Sequence, residues 1–366
     1  MIPLFRVSMD PAVGAKVEET LLSGFVAQGK KVEEFEEALI PWMGRRPITV
    51  NSGTSALTLA LRLAGVGPGD KVVTTPMTCS ATNLSILSLG AEPVWADINP
   101  RTGLIDPLSI ASRMDDYGQS VKAVMAVDWG GQPADYSEIR KAVEPLGIPI
   151  ISDAAHSFGS EYRRTITGSV SDYTCFSFQA IKHLTTGDGG ALTTRMGDER
   201  RARKLRWFGI DRDAPTDGFR GEVDIEEWGY KFHMNDIAAT IGLANLSIIN
   251  GIMAKHMAHA MIYNEHLDRR FVRTAPDYEH VGSWWIYTIL LPDKRLRDEF
   301  KIWMNEQGVQ VSQVHWRNDT LSVFKPYRRD DLPGVDEFSD RMICLPAHFQ
   351  VNSIDVIDAA NRFWHR

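Results

Sequence analysis

Between about residue 47 and residue 195 the chain alternates short apolar runs with helical ones. This alternation narrows the possible folds more than any other feature of the sequence. Ile48-Thr-Val reads as a strand, and Ser52-Gly-Thr turns into an apolar helix from Ala56 to Leu63, stopped by Gly65. Val72-Val-Thr-Thr is a second strand, broken by Pro76 and followed by a helix that runs to Leu89. Pro93-Val-Trp-Ala-Asp, Ala123-Val-Met-Ala-Val, Ile148-Pro-Ile-Ile-Ser, Cys175-Phe-Ser-Phe and Ala191-Leu-Thr-Thr continue the series, with a helix from Tyr136 to Leu146 among them. Such a pattern predicts an α/β fold, with a largely parallel sheet and helices on both faces. Strands without polar alternation are buried on both sides. Ligands of such sheets meet the carboxyl ends of the strands.

From about residue 235 the pattern changes. Asp236 to Arg269 is a long helical stretch with an expected bend near Gly251. Trp284 to Pro292 alternates like a strand, Leu296 to Glu306 reads as a helix, and Ile354 to Trp364 is a final helix. This predicts two units, a large one over 1–247 and a smaller α/β one over 248–366.

Several function classes are disfavoured. The formal net charge is −7 and no Lys/Arg block occurs, opposite to what non-specific nucleic-acid binding needs. The three cysteines, Cys79, Cys175 and Cys344, form no CxxC pair and fit a reducing, cytoplasmic setting. The first residues lack the apolar core of a signal peptide, and no 18-residue apolar run predicts a membrane span. GxxxxGK[ST] is absent, and the glycines at 65, 67 and 69 do not form GxGxxG. No metal site is expected.

Three segments carry chemistry. In Cys175-Phe-Ser177-Phe-Gln-Ala-Ile-Lys182-His183 a lysine follows a buried strand and precedes a glycine-rich loop. Desolvation there disfavours the ammonium and leaves an amine fit for Schiff-base chemistry, unless Lys182 is simply a surface loop residue. Ser177 has a hydroxyl to offer a phosphate. In Ile151-Ser-Asp153-Ala-Ala-His156 the aspartate ends an apolar strand. A carboxylate in that position keeps a pyridine nitrogen protonated, and a helix N-cap is the plainer use of it. His156 can bond a phenolic oxygen or be a satisfied core histidine. In Asn51-Ser-Gly53-Thr54-Ser55-Ala-Leu a strand-to-helix turn gathers free N–H groups into an anion site, or forms an ordinary capped turn.

Taken together, in this order and spacing, the three segments resemble the DegT/DnrJ/EryC1/StrS family of sugar aminotransferases. The likeness extends to Gly24–Phe35, to Gly229-Tyr-Lys-Phe-His-Met and to Leu345-Pro, so it covers nearly the whole chain. It implies a pyridoxal 5′-phosphate-dependent transferase of fold type I, with a mostly parallel seven-stranded sheet and a smaller C-terminal domain. It implies that Lys182 carries the cofactor as a Schiff base and shuttles protons, that Asp153 pairs with the ring nitrogen, and that His156 meets the phenolic oxygen. Gly53, Thr54, Ser55 and Ser177 would hold the phosphate. The expected assembly is a homodimer with shared active sites, in which Lys231 reaches the neighbour's phosphate. The expected reaction takes an amino group from an amino acid, glutamate first, through pyridoxamine 5′-phosphate to a ketone of a nucleotide-linked sugar, at C4 ahead of C3.

The chain departs from the family's usual pattern on the substrate side. Cys79 stands where an aromatic residue commonly stacks on the ring, Lys231 where Asn is commoner, and Phe208-Gly209 where His-Gly is usual. Lys231 then binds cofactor phosphate or substrate diphosphate, or is merely solvated. His315 and Arg317 are candidates to meet sugar hydroxyls or a diphosphate, with a surface loop as the alternative. Competing activities are amination of a cyclitol ketone (an inosose) and a pyridoxamine-dependent sugar dehydratase. Dehydratases of that kind carry His at the position of Lys182, whereas here His183 is only adjacent. A non-enzymatic regulator is opposed by the absence of a basic helix-turn-helix.

Overall fold

The computed structural model of the chain describes residues 1–212, 214 and 224–366. Its centre is a seven-stranded sheet in the order Ile48–Val50, Gly190–Thr193, Tyr173–Ser177, Ile150–Asp153, Val121–Val127, Lys71–Thr74 and Glu92–Trp95. Only Gly190–Thr193 runs antiparallel to its neighbours. Helices Gly53–Leu63 and Pro107–Tyr117 contribute to two separate apolar cores that share the sheet's residues. Central strands such as Val121–Val127 are buried along nearly their whole length, which is why they carry no polar alternation. The expected strand from Ile148 starts at Ile150, because Pro149 has no N–H to give a ladder.

The long C-terminal helical stretch is two helices, Asp236–Leu246 and Ile249–His266, meeting at 60°. The bend expected near Gly251 is thus corrected to 247–248, and Gly251 lies inside the second helix. There the amides of Ser247 and Ile248 bond three residues back, to Ala244 and Asn245, which tightens the last turn and redirects the chain. We propose the division between the two units at this break. Beyond it an antiparallel three-stranded sheet, Val272–Arg273, Tyr287–Leu290 and Met342–Leu345, packs with helices Lys294–Glu306 and Ser353–Arg362 around a core of its own. The strand expected from Trp284 begins only at Tyr287, because Trp284 takes a left-handed φ of 53° and turns the chain. Among the described residues no single helix is long and apolar enough to cross a membrane.

Candidate active site

Three neighbouring strands of the large sheet, Val121–Val127, Ile150–Asp153 and Tyr173–Ser177, contribute to one cavity of about 670 Å³. Lys182, Asp153, His156, Ser177, Gly53, Thr54, Cys79 and His315 all line it. The parallel strands Ile150–Asp153 and Tyr173–Ser177 present their carboxyl ends on the same side, so Asp153 and the loop to Lys182 open onto the same space.

The turn at Gly53 is built by close backbone approach. Gly190 pairs with Val50 on one side and with Ser177 on the other. A Cβ on Gly190 would lie 2.6 Å from the Ser52 carbonyl, and one on Gly53 would lie 2.9 Å from the Ser177 Cβ. Only glycines let the two hydroxyl-bearing segments meet. Ser52 caps the helix by accepting from the Ser55 N–H at 3.1 Å. The amides of Gly53 and Thr54 precede the first intrahelical bonds, so the helix offers them to an anion. Ser55 itself sits behind the turn: it does not line the cavity, and its Oγ donates to Asn51 Oδ1 at 2.6 Å. Gly53→Ala should therefore force Ser177 away and weaken cofactor binding by about tenfold or more, as overpacking of this kind costs about 1–3 kcal/mol. Titration of the cofactor-free enzyme with pyridoxal phosphate measures it.

Asp153 is buried and accepts at both oxygens, from Thr82 Oγ1 at 2.7 Å and from the Ala155 N–H at 3.1 Å. Burial pushes its carboxyl above the usual carboxylate range, opposed by these two bonds and by the Lys182 charge. Thr78 precedes the helix Ser80–Leu87 that carries Thr82, and their hydroxyls are 2.9 Å apart. Thr82→Val should lower turnover about tenfold, the size of a lost bond to a charged group. It should also move the acid limb of the rate profile to higher pH, because a carboxylate with one donor fewer ionises less readily. An unchanged limb in a pH–rate series would show that Thr82 does not support Asp153.

Lys182 lines the cavity, and burial lowers its amine to about 8, against the opposing pull of Asp153 and Cys79. Its Nζ lies 3.7 Å from the centroid of the Trp285 ring. His156 stacks on the same indole, with its centroid 3.9 Å from that of Trp285, and its Nε2 is 3.4 Å from His315 Nε2. Burial and the nearby Lys182 keep both imidazoles neutral, His156 well below its ordinary value and His315 at about 3. His156 Nδ1 is buried and has no partner among the described residues.

These features fit pyridoxal phosphate. A buried imidazole nitrogen lacks a partner, two helix-start amides face a glycine cradle, and a carboxylate and an amine line the same cavity. Lys182 would capture the aldehyde, Asp153 would hold the ring-nitrogen proton, and Gly53, Thr54 and Ser177 would meet the phosphate. When bound, the cofactor supplies a protonated ring that accepts electrons. Among the described residues no group of His, Cys, Asp or Glu is placed to hold a metal ion.

Besides Ser55, two expected residues, Arg317 and Lys231, do not reach this cavity. Arg317 donates from Nε and from one terminal nitrogen to Asp319, at 2.8 and 2.7 Å, and from the other to Asp336. Carboxylates of its own unit hold the guanidinium that was expected to meet substrate. Lys231 lies on the surface, its Nζ 3.6 Å from the Trp207 ring centroid. His183 does not line the cavity either, and its Nε2 bonds the Ser283 carbonyl at 3.0 Å. Conversely, Thr82, Trp285 and Phe5 line the cavity and were not singled out from sequence. Nothing local marks them.

Comparison with known proteins agrees with this geometry. The model of the DegT/DnrJ/EryC1/StrS aminotransferase family matches residues 8–363. The spore coat polysaccharide biosynthesis protein SpsC of Bacillus subtilis (strain 168) is 32% identical over 363 residues, covering 94% of this chain and 91% of SpsC. The sugar aminotransferase CalS13 from Micromonospora echinospora superimposes with a TM-score of 0.92 at 31% identity, over 99% of each chain. The PLP form of Spr1654 from Streptococcus pneumoniae does so with a TM-score of 0.91 at 26% identity, over 100% of this chain and 98% of that one. With the match spanning nearly its whole length, the chain belongs to the DegT/DnrJ/EryC1/StrS family and is a pyridoxal-phosphate-dependent sugar aminotransferase.

Proposed function

We propose that the enzyme moves an amino group from an amino acid, glutamate first, to the ketone of a nucleotide-linked sugar, with C4 ahead of C3. One observation carries the reading: Lys182 is the sole lysine or arginine among the described residues that line the cavity. The lining also offers neutral polar groups, Thr78, Gln310 and Ser312. Such a lining suits a polyhydroxylated ketone, whose hydroxyls both give and accept hydrogen bonds. The donor's carboxylates and a diphosphate then need cations from outside this cavity. In a homodimer with shared sites, Lys231 of the second copy is our candidate for that charge. Its side chain has no ion pair among the described residues, and it stands on an indole face in the open. SpsC, by its name, serves polysaccharide biosynthesis, and an amino sugar for a surface polysaccharide is the product class we favour. The three free thiols fit a cytoplasmic location.

With the cofactor bound, Lys182 would move the proton to and from the substrate carbon, and Asp153 would keep the ring nitrogen protonated. The test loads the enzyme with pyridoxamine phosphate and offers nucleotide-linked 4-keto and 3-keto sugars and an inosose. Conversion of the cofactor to its aldehyde form is followed by absorbance. The 4-keto sugar should react fastest. Reaction with the inosose alone would replace the nucleotide-sugar reading with the cyclitol one.

A further inference from the structure

Three consecutive residues, Ile181, Lys182 and His183, touch two residues of one turn in the C-terminal unit, Ser283 and Trp285. The Ile181 carbonyl accepts from Trp285 Nε1 at 2.9 Å. The Lys182 amine stands over the Trp285 ring, 3.7 Å from its centroid. His183 Nε2 bonds the Ser283 carbonyl at 3.0 Å. Between Ser283 and Trp285, Trp284 takes a φ of 53°, a conformation that a bulky side chain rarely adopts. Strain of this kind persists only where its surroundings enforce it, and it gathers at functional sites. Here the enforcement is visible. His256 Nδ1 pairs with the Trp284 carbonyl at 3.0 Å, next to His183, whose ring centroid is 4.5 Å away. The Ser283 N–H donates to Ser160 Oγ at 3.0 Å, and the Ser283 hydroxyl donates to the His156 carbonyl at 2.9 Å. The indole that results is buried, with Phe5 at a centroid distance of 4.8 Å and His156 at 3.9 Å.

We propose that Trp285 is a positioning residue for Lys182: its ring face holds the lysine amine, and its N–H fixes the carbonyl just before it. The strained turn at Ser283–Trp284 delivers the indole to that place. A cation over a desolvated indole is favoured, which makes the ring a counterweight to the burial that drives the amine to lose its proton. The other groups whose charge bears on Lys182 are Asp153 and Cys79, which favour the ammonium, and His156, His183 and His315, whose own protonation its charge opposes. None of them replaces the ring face. Trp285 would thus set two properties of one amine: where it points and the pH at which it becomes free. The inference rests on Lys182 as the reacting amine, but not on which ketone is aminated.

The test uses the full chain without cofactor and labels Lys182 with an amine-selective acylating reagent over a pH series, read by peptide mass spectrometry. For Trp285→Leu the midpoint should fall by about half a unit to one unit, since the cation loses its π face. Trp285→Phe keeps a face without the N–H and should move it by roughly less than half as much. In the loaded enzyme, Trp285→Leu should lower kcat about tenfold with KM for the ketone unchanged, because misdirected groups lose rate rather than binding. A midpoint that stays or rises in a folded Trp285→Leu enzyme would overturn the proposal, for the indole would then act only by keeping water out. Should the leucine variant not fold, Trp285→Met, which also lacks a π face, carries the same comparison. Loss of activity on every sugar with the expected midpoint shift intact would fault the substrate reading and leave this one standing.

Discussion

Lys182→Ala is expected to cut amino transfer by about 10³- to 10⁴-fold, the range that loss of a positioned acid–base group spans. Two roles vanish together. In the proposed mechanism the amine that would capture the cofactor aldehyde is gone, and so is the base that would carry the proton to and from the substrate carbon. No other side chain can take over. Among the described residues that line the cavity there is no second lysine, and burial alone, which the variant keeps, already holds His156 and His315 below their ordinary values as weak bases. His183, next in the chain, is turned onto the Ser283 carbonyl. The fold should survive, because removing an amine that burial already disfavours relieves a desolvation cost. Stopped assays with a keto sugar and glutamate measure the loss. A companion result concerns pH. With the amine at about 8, capture of pyridoxal phosphate by the cofactor-free wild-type enzyme should accelerate up to that pH and then level off, since only the unprotonated lysine reacts. A variant that keeps wild-type turnover would remove Lys182 from the chemistry altogether.

Asp153→Asn should lower kcat by about 10²- to 10³-fold, comparable with removing another preorganised electrostatic group. Asparagine keeps the volume and can still accept from Thr82, so the cavity should hold its shape. It cannot carry the negative charge that keeps the ring nitrogen protonated. The cofactor should still bind, because the Gly53 turn and Ser177 are untouched, while its power to withdraw electrons falls. The prediction therefore separates binding from chemistry: near-normal titration with pyridoxal phosphate beside a collapse in rate. Turnover within about threefold of wild type would mean that ring protonation does not rest on this carboxylate.

These outcomes depend on residues that differ in how far the sequence announces them. Asp153 and Lys182 stand just past apolar strands, and a strand end is a local signal. Its burial and its neighbours along the chain are encoded within a few residues. The parallel sheet was legible for the same reason, since runs such as Val121–Val127 state their burial by having no polar face. The ordered motifs from Ser52 to Gly190 also identified the family, because the spacing of functional groups along a chain survives when packing details change. What surrounds those groups was not legible. Thr82 meets Asp153 across 71 positions and Trp285 meets Ile181 across 104, and no local pattern encodes such distances. Arg317 read as a ligand for anions because its sequence neighbours are polar. Only the folded chain shows Asp319 and Asp336 closing on it. The sequence by itself determined which backbone segments end at the site and which reactive groups they bear, since both follow from local periodicity and residue chemistry. The tertiary structure alone decided what those groups touch, and so the charge and direction of Lys182, because burial and contact belong to segments brought together only by the closing of two cores.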